Sequence, residues 1–253
     1  MNPILEINDL TTGYNGTPLT SGINLTLREG EVTAMIGRNG VGKSTLIKTL
    51  TRHIPPIKGE IWLLGKLLHD YSRKDLSKII AQVTTDSDIA GGLRLHELVS
   101  LGRIPFTGVT GVLSTADHQI VRQAMEGVDI IHKKDNFISE LSDGERQKGM
   151  IARALSQETP LIIMDEPFSY LDVAARLEML ALVRRLAREE RKAILFSTHE
   201  VSEALRMADR IWMFADGEIR EGNPRELVES GEIDRLFSST NVRFDKNTWN
   251  FTL

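Results

Sequence analysis

The stretch Gly37-Arg38-Asn39-Gly40-Val41-Gly42-Lys43-Ser44-Thr45 fits the pattern G-x-x-x-x-G-K-[ST] at every fixed position. It follows the apolar run 32–36 and precedes the helix-like stretch 45–50, so a strand is predicted to lead into a loop that opens a helix. Glycines let backbone N–H groups close around phosphate oxygens, and the following helix points its positive end at the same anion. Lys43 is therefore predicted to reach the β and γ phosphates of a nucleoside triphosphate, and the Ser44 hydroxyl to ligate Mg²⁺.

The composition is that of a globular chain without a strong charge. Of its 253 residues, 41% are apolar and 26% are charged, and the formal net charge is −4 at pH 7. We therefore expect one large domain, or a core with a smaller insert, and no nucleic-acid partner. The absence of cysteine excludes a disulfide framework and a thiolate metal site. We expect no signal peptide, and no stretch approaches the ~20 apolar residues of a membrane span.

Strands that alternate with helices predict an α/β fold with a mostly parallel sheet. Short strands are predicted at 5–7 and 23–27, and the continuous apolar run 161–164 is typical of a strand buried on both faces. A long helix is predicted over 174–190, with Leu177 on its apolar face. The predicted parts are a core of residues 1–84 and 157–237, a mostly helical insert of 85–156, and a tail of 238–253.

An acidic pair follows the apolar run 161–164. Asp165 at the strand end can hold Mg²⁺ directly or through water, and Glu166 can polarise the water that attacks a γ-phosphate. Alone, such a pair is more often a solvated strand end. The phosphate loop upstream favours the catalytic interpretation.

Ser142 and Glu145 form the pattern S-x-x-E before a helix-like stretch, which is typical of a capping box. In order and separation, the segments 37–45, 141–148 and 161–166 resemble the Walker A, signature and Walker B motifs of ABC-transporter ATPase subunits. Ser169-Tyr170-Leu171-Asp172 resembles the D-loop of that family, and His199 resembles its switch histidine. Gln82 is placed like its Q-loop glutamine and Tyr14 like the aromatic residue that stacks on adenine. The resemblance extends to about residue 236.

This resemblance implies a P-loop NTPase (RecA-like) core with an antiparallel β subdomain and an inserted helical subdomain. It also implies ATP hydrolysis with Mg²⁺, in a head-to-tail dimer whose signature segments face the partner's nucleotide. The implied catalytic residues are Glu166, His199, Lys43 and Gln82. The implied metal ligands are Ser44, Gln82 and Asp165. The implied nucleotide contacts are Tyr14, Gly37, Asn39, Gly40, Gly42, Lys43, Ser44, Thr45, Ser142, Gly144, Glu145 and Asp172.

The signature segment departs from the family's common L-S-G-G-Q, because Asp143 and Glu145 replace its third and fifth residues. Both are acidic near an incoming triphosphate and should weaken ATP-driven pairing unless a cation compensates them. Arg146 and Lys148 are the predicted compensating cations.

One nucleotide domain without a membrane span resembles a separate transporter subunit. The stretch 101–108, Leu-Gly-Arg-Ile-Pro-Phe-Thr-Gly, resembles a segment of ATPases from iron-chelate, haem and cobalamin importers. In that family the region contacts the permease, which implies polytopic permease partners, an indirect substrate-binding protein, and a place on the cytoplasmic face of the membrane. The alternative is a soluble ATP-dependent assembly or regulatory module without a permease. The tail 238–253 either packs on its own core or supports a dimer contact.

Overall fold

The computed structural model describes residues 2–84, 92–108, 111–169, 171–215, 217–237, 243–246 and 248–252. Its strands, in chain order, are β1 (Pro3–Tyr14), β2 (Thr17–Arg28), β3 (Val32–Gly37), β4 (Lys58–Leu63), β5 (Lys66–Leu67), β6 (Ile80–Val83), β7 (Leu161–Met164), β8 (Ala193–Thr198), β9 (Arg210–Ala215), β10 (Glu218–Gly222), β11 (Arg243–Asp245) and β12 (Asn250–Thr252).

The α-helices are α1 (Lys43–Leu50), α2 (Arg73–Leu76), α3 (Leu95–Ser100), α4 (Thr115–Gly127), α5 (Asp143–Ser156), α6 (Val173–Glu189), α7 (Val201–Met207) and α8 (Pro224–Glu229). Short 3₁₀ helices cover Leu68–Asp70, Leu101–Phe106, Ile131–Lys133, Ile138–Glu140 and Glu232–Phe237. Among the described residues, no helix is long and apolar enough to cross a membrane.

The chain divides into two compact units, of which the first comprises residues 1–70 and 187–253. In this unit β3 lies parallel to both β8 and β9, and β10 pairs with β9 in the antiparallel direction. A second sheet is antiparallel, with the strand order β2-β1-β4-β5. β3 and β8 are buried along their whole length, as expected for central parallel strands.

The second unit comprises residues 71–186. It contains the parallel pair of β6 and β7 and the packed helices α3, α4 and α5. The described part of the predicted insert 85–156 is helical, while its two boundaries stay a prediction. The α/β class with parallel strands is confirmed.

β1 is twelve residues long, although the sequence predicts a strand only at 5–7. Its register against β2 shifts between Ile7 and Leu10 and again on either side of Thr12, and Asp9 has a φ of 46°. Such irregularities break the strict alternation of apolar and polar residues from which a strand is recognised.

Leu177 does not belong to the buried face of α6, contrary to the sequence prediction. It is 61% exposed, as is Val173 one turn earlier at 73%, whereas Leu180 and Val183 are buried. The structure confirms the predicted helix, but the apolar face that packs inward is narrower than the predicted one.

Candidate nucleotide-binding site

The phosphate loop lies between β3 and α1, as the sequence predicts. Lys43 is only 6% exposed. Its ammonium group donates to the backbone oxygens of Gly37 at 2.6 Å and Arg38 at 3.1 Å. A buried cation needs such partners, because an unpaired charge away from water is costly. The lysine thus closes the loop on itself and keeps a positive charge inside it.

Gly42 precedes α1 with a φ of 109°, a conformation that side chains with a β-carbon rarely adopt. A β-carbon here would also lie 3.2 Å from Leu19 and 3.3 Å from Thr20, both on β2. The second fixed glycine of the motif is therefore required by its backbone angle and by its close neighbours.

His199 and the phosphate loop leave the same edge of the parallel strands in the first unit. Thr198, the last residue of β8, pairs with Ile36 on β3, and His199 follows it directly. Tyr14 ends β1 and is 43% exposed, so its ring is accessible for stacking.

In the second unit, Gln82 and the acidic pair lie at one edge of two parallel strands. Gln82 on β6 pairs with Ile163 on β7, and the Asp165 N–H donates to the Val83 oxygen at 2.9 Å. Glu166 has a φ of 45°, which is strained for a residue other than glycine. The Ser169 hydroxyl lies 3.2 Å from the Glu166 Oε2 atom and orients this carboxylate.

The signature segment caps α5 with the predicted capping box. The Ser142 hydroxyl accepts from the Glu145 N–H at 3.3 Å, and Glu145 Oε2 accepts from the Ser142 N–H at 2.9 Å and its hydroxyl at 3.1 Å. Glu145 Oε1 lies 3.0 Å from the Lys133 Nζ atom. The Ser142 backbone N–H, followed by Lys133, lowers the pKa of the Glu145 carboxyl, which therefore stays ionised.

The two acidic substitutions in the signature each have a cation. Asp143 pairs with Arg146, as expected from the sequence, and Glu145 pairs with Lys133. Gly144 lies between them in the first turn of α5. Asp172 accepts from the Ala175 N–H at 2.8 Å at the start of α6, while Tyr170 of the same motif lies outside the described residues.

A groove of ≈ 940 Å³ lies elsewhere on the second unit. Its lining includes Ile104 from the segment 101–108, together with residues of α2 and the C-terminal part of α5. Ile104 is 57% exposed and Phe106 is 41% exposed. Gly102 in this segment approaches α5 so closely that a β-carbon would lie 2.1 Å from the Ser156 Oγ atom. The segment therefore packs directly on the C-terminal end of the signature helix.

Arg103 anchors the segment 101–108. Its buried guanidinium pairs with Asp117 at 2.8 Å and Glu158 at 2.8 Å, and donates to the Ser156 oxygen at 2.8 Å. It also lies 4.3 Å from the centre of the Phe106 ring. Hydrogen bonds from Ser114, followed by Arg103, lower the pKa of the Asp117 carboxyl to about 2. One side chain thus connects α4, the end of α5 and the exposed Phe106.

Replacing Arg103 with Met is expected to lower the free energy of unfolding by about 2–4 kcal/mol, because it leaves the Asp117 carboxylate without its buried cation. Urea denaturation would measure the change. Arg122→Met is the matched control on α4, since the pair of Arg122 with Glu126 is exposed to solvent and contributes little to stability. Equal losses in both variants would contradict an anchoring role for Arg103.

The predicted site residues are divided between the two units. The first contains the phosphate loop and His199, and the second contains Gln82, the acidic pair and the signature segment. The sequence does not predict the ion pairs that Lys133 and Arg103 form. Their partners are distant along the chain, and no local sequence pattern connects them.

The sequence matches the ABC transporter family over residues 20–169. This chain belongs to the ABC transporter family. It is an ABC-type ATPase subunit that binds ATP, and the predicted P-loop fold is confirmed.

Three known proteins resemble this ABC protein along most of its length. The iron(3+)-hydroxamate import ATP-binding protein FhuC of Bacillus subtilis is 35% identical, over 92% of this chain and 87% of that protein. An inward-facing transporter described as metal-chelate type has a TM-score of 0.82 and 26% identity, covering 99% of this chain and 96% of that chain. A dimeric ATP-binding cassette with bound ADP and phosphate has a TM-score of 0.77 and 25% identity, covering 87% of this chain and 98% of that chain. The predicted resemblance to subunits of iron-chelate importers is confirmed.

Proposed function

We propose that this ABC ATPase powers the import of an iron chelate, with an iron–siderophore complex as the first candidate and haem or cobalamin as related cargoes. The names of the similar importer subunit and of the metal-chelate transporter support this cargo class. The observation that carries the importer assignment is the exposed apolar pair Ile104 and Phe106, held beside a groove by a buried arginine.

ATP hydrolysis would use both sets of site residues. Lys43 binds the β and γ phosphates, Glu166 takes a proton from the attacking water, and Ser169 keeps that carboxylate oriented. His199 donates to the γ-phosphate. Mg²⁺, when bound, neutralises phosphate charge, and the oxygen donors of Ser44, Asp165 and Gln82 suit this hard cation.

Two copies of the chain would close head to tail around ATP. In this arrangement the Ser142 hydroxyl and the first turn of α5 receive the γ-phosphate bound by the partner subunit. Gly144 and Glu145 belong to the same turn, and Asp172 would position groups across the interface. The dimeric form of a similar cassette supports such pairing.

The permease would contact the segment 101–108 and the groove beside it. Because Gly102 packs against the end of α5, movement of the signature helix would reach the docking residues directly. The subunit would then lie on the cytoplasmic face of the cell membrane. A substrate-binding protein would deliver the chelate to the permease from the other side.

Phe106→Asp is expected to reduce chelate uptake about tenfold or more, because it replaces the apolar contact for the permease with a charge. ATP binding by the purified subunit should change by less than about twofold, since Phe106 is not among the nucleotide-binding residues. Uptake of a radiolabelled iron chelate and ATP titration measure the two effects. Leu64→Asp, which likewise replaces an exposed apolar side chain with aspartate but lies outside this segment, is the control. Undiminished uptake in Phe106→Asp would remove the docking role.

The deciding experiment is purification of the tagged chain from solubilised membranes, followed by mass spectrometry of the proteins bound to it. We expect a polytopic permease in near-equal amounts. Recovery only with soluble partners would instead favour an assembly or regulatory ATPase.

A further inference from the structure

The signature segment presents an unusual electrostatic problem to an incoming nucleotide. Glu145 adds a carboxylate 3.1 Å from the Ser142 hydroxyl, the group that would meet the partner's γ-phosphate. The negative charge of the Glu145 carboxylate would repel the incoming triphosphate and oppose closure of the dimer unless a cation neutralises this carboxylate.

Lys133 is the cation at this position. Its Nζ lies 3.0 Å from Glu145 Oε1, while Oε2 is held by Ser142, so both carboxylate oxygens are occupied. The side chains of Lys133 and Glu145 are 35% and 28% exposed. Because they are partly shielded from water, their electrostatic attraction is stronger than that of a fully exposed pair. Asp143, by comparison, is 62% exposed and its charge is more strongly screened. Glu145 is therefore the acid whose compensation matters most.

We propose that Lys133 is a positioning residue of the ATP site, which neutralises and holds Glu145 so that the acidic signature can accept the partner's triphosphate. This inference rests on the head-to-tail closure proposed above. It assigns a nucleotide-linked role to a residue outside every recognised motif, in the 3₁₀ helix Ile131–Lys133.

The test measures ATP-driven dimer formation in the Glu166→Gln background, where hydrolysis does not interfere. Adding Lys133→Met should raise the ATP concentration at half-dimerisation by about three- to tenfold. Lys133→Arg should restore the parent value, because it keeps the charge. ATP binding to the monomer should not change in either variant, which separates the role of Lys133 from that of the phosphate loop.

A double-mutant cycle that combines Lys133→Met with Glu145→Gln shows whether Lys133 acts through Glu145. Once Glu145 is neutral, Lys133→Met should shift half-dimerisation by less than about twofold. Lys134→Met, which removes the same charge one residue away, is the matched control and should behave like the parent. An equal shift from Lys134→Met, or an undiminished shift in the Glu145→Gln background, would overturn the inference.

Failure of the proposed closure gives a different result. In that case the Glu166→Gln chain stays monomeric at saturating ATP before Lys133 is changed, and the inference falls with it. A parent that dimerises while Lys133→Met has no effect overturns only the role of Lys133.

Discussion

Glu166→Gln is expected to lower ATP turnover by about 10²–10⁴-fold while ATP remains bound. Glutamine has nearly the same shape and can still accept a hydrogen bond from Ser169, but it cannot take a proton from water. Steady-state phosphate release measures turnover, and equilibrium binding of a fluorescent ATP analogue measures affinity. The loss should therefore appear in kcat and not in nucleotide affinity.

Glu178→Gln is a suitable control, because it makes the same change at an exposed position on α6. It should leave turnover unchanged. If Glu166→Gln hydrolyses ATP within about threefold of the parent, another group activates the water and the role of Glu166 is wrong.

Lys43→Ala is expected to weaken ATP binding by about 100-fold or more, because it removes a charge-assisted donor to the phosphates. It also removes the two hydrogen bonds that close the loop onto Gly37 and Arg38. Isothermal titration with ATP measures the first effect. Faster hydrogen exchange of the loop amides would report the second.

Lys48→Ala provides the comparison on the same helix, since Lys48 is exposed and lies in the last turn of α1. Its ATP affinity should match that of the parent. Parent-like affinity in Lys43→Ala would show that nucleotide binds elsewhere.

The features that sequence predicts correctly are short and local. The phosphate loop needs only one strand, nine motif residues and one helix. The roles of its glycines and its lysine follow from the chemistry of these residues alone. The capping box of Ser142 and Glu145 spans four residues and follows from helix geometry alone. Such patterns do not depend on what the rest of the chain does.

The features that escaped prediction depend on the folded neighbourhood. Arg103 meets Glu158 across 55 positions of sequence, and Lys133 meets Glu145 across a turn and a second short helix. Nothing in the residue order distinguishes Lys133 from its neighbour Lys134. The exposure of Leu177 likewise depends on which part of α6 packs inward, and this is not encoded in helical spacing.

The capping box has a consequence for competition among anions in the cell. In the single subunit, the Glu145 carboxylate occupies the Ser142 donors and is itself held by Lys133. Inorganic phosphate or sulfate that diffuses to this helix end must displace the anchored Glu145 carboxylate and is repelled by its negative charge. In the proposed dimer, by contrast, most contacts to the triphosphate would already be made by the phosphate loop of the other subunit. In the proposed head-to-tail dimer, the signature segment would therefore select against small free anions and in favour of a nucleotide presented by a second copy.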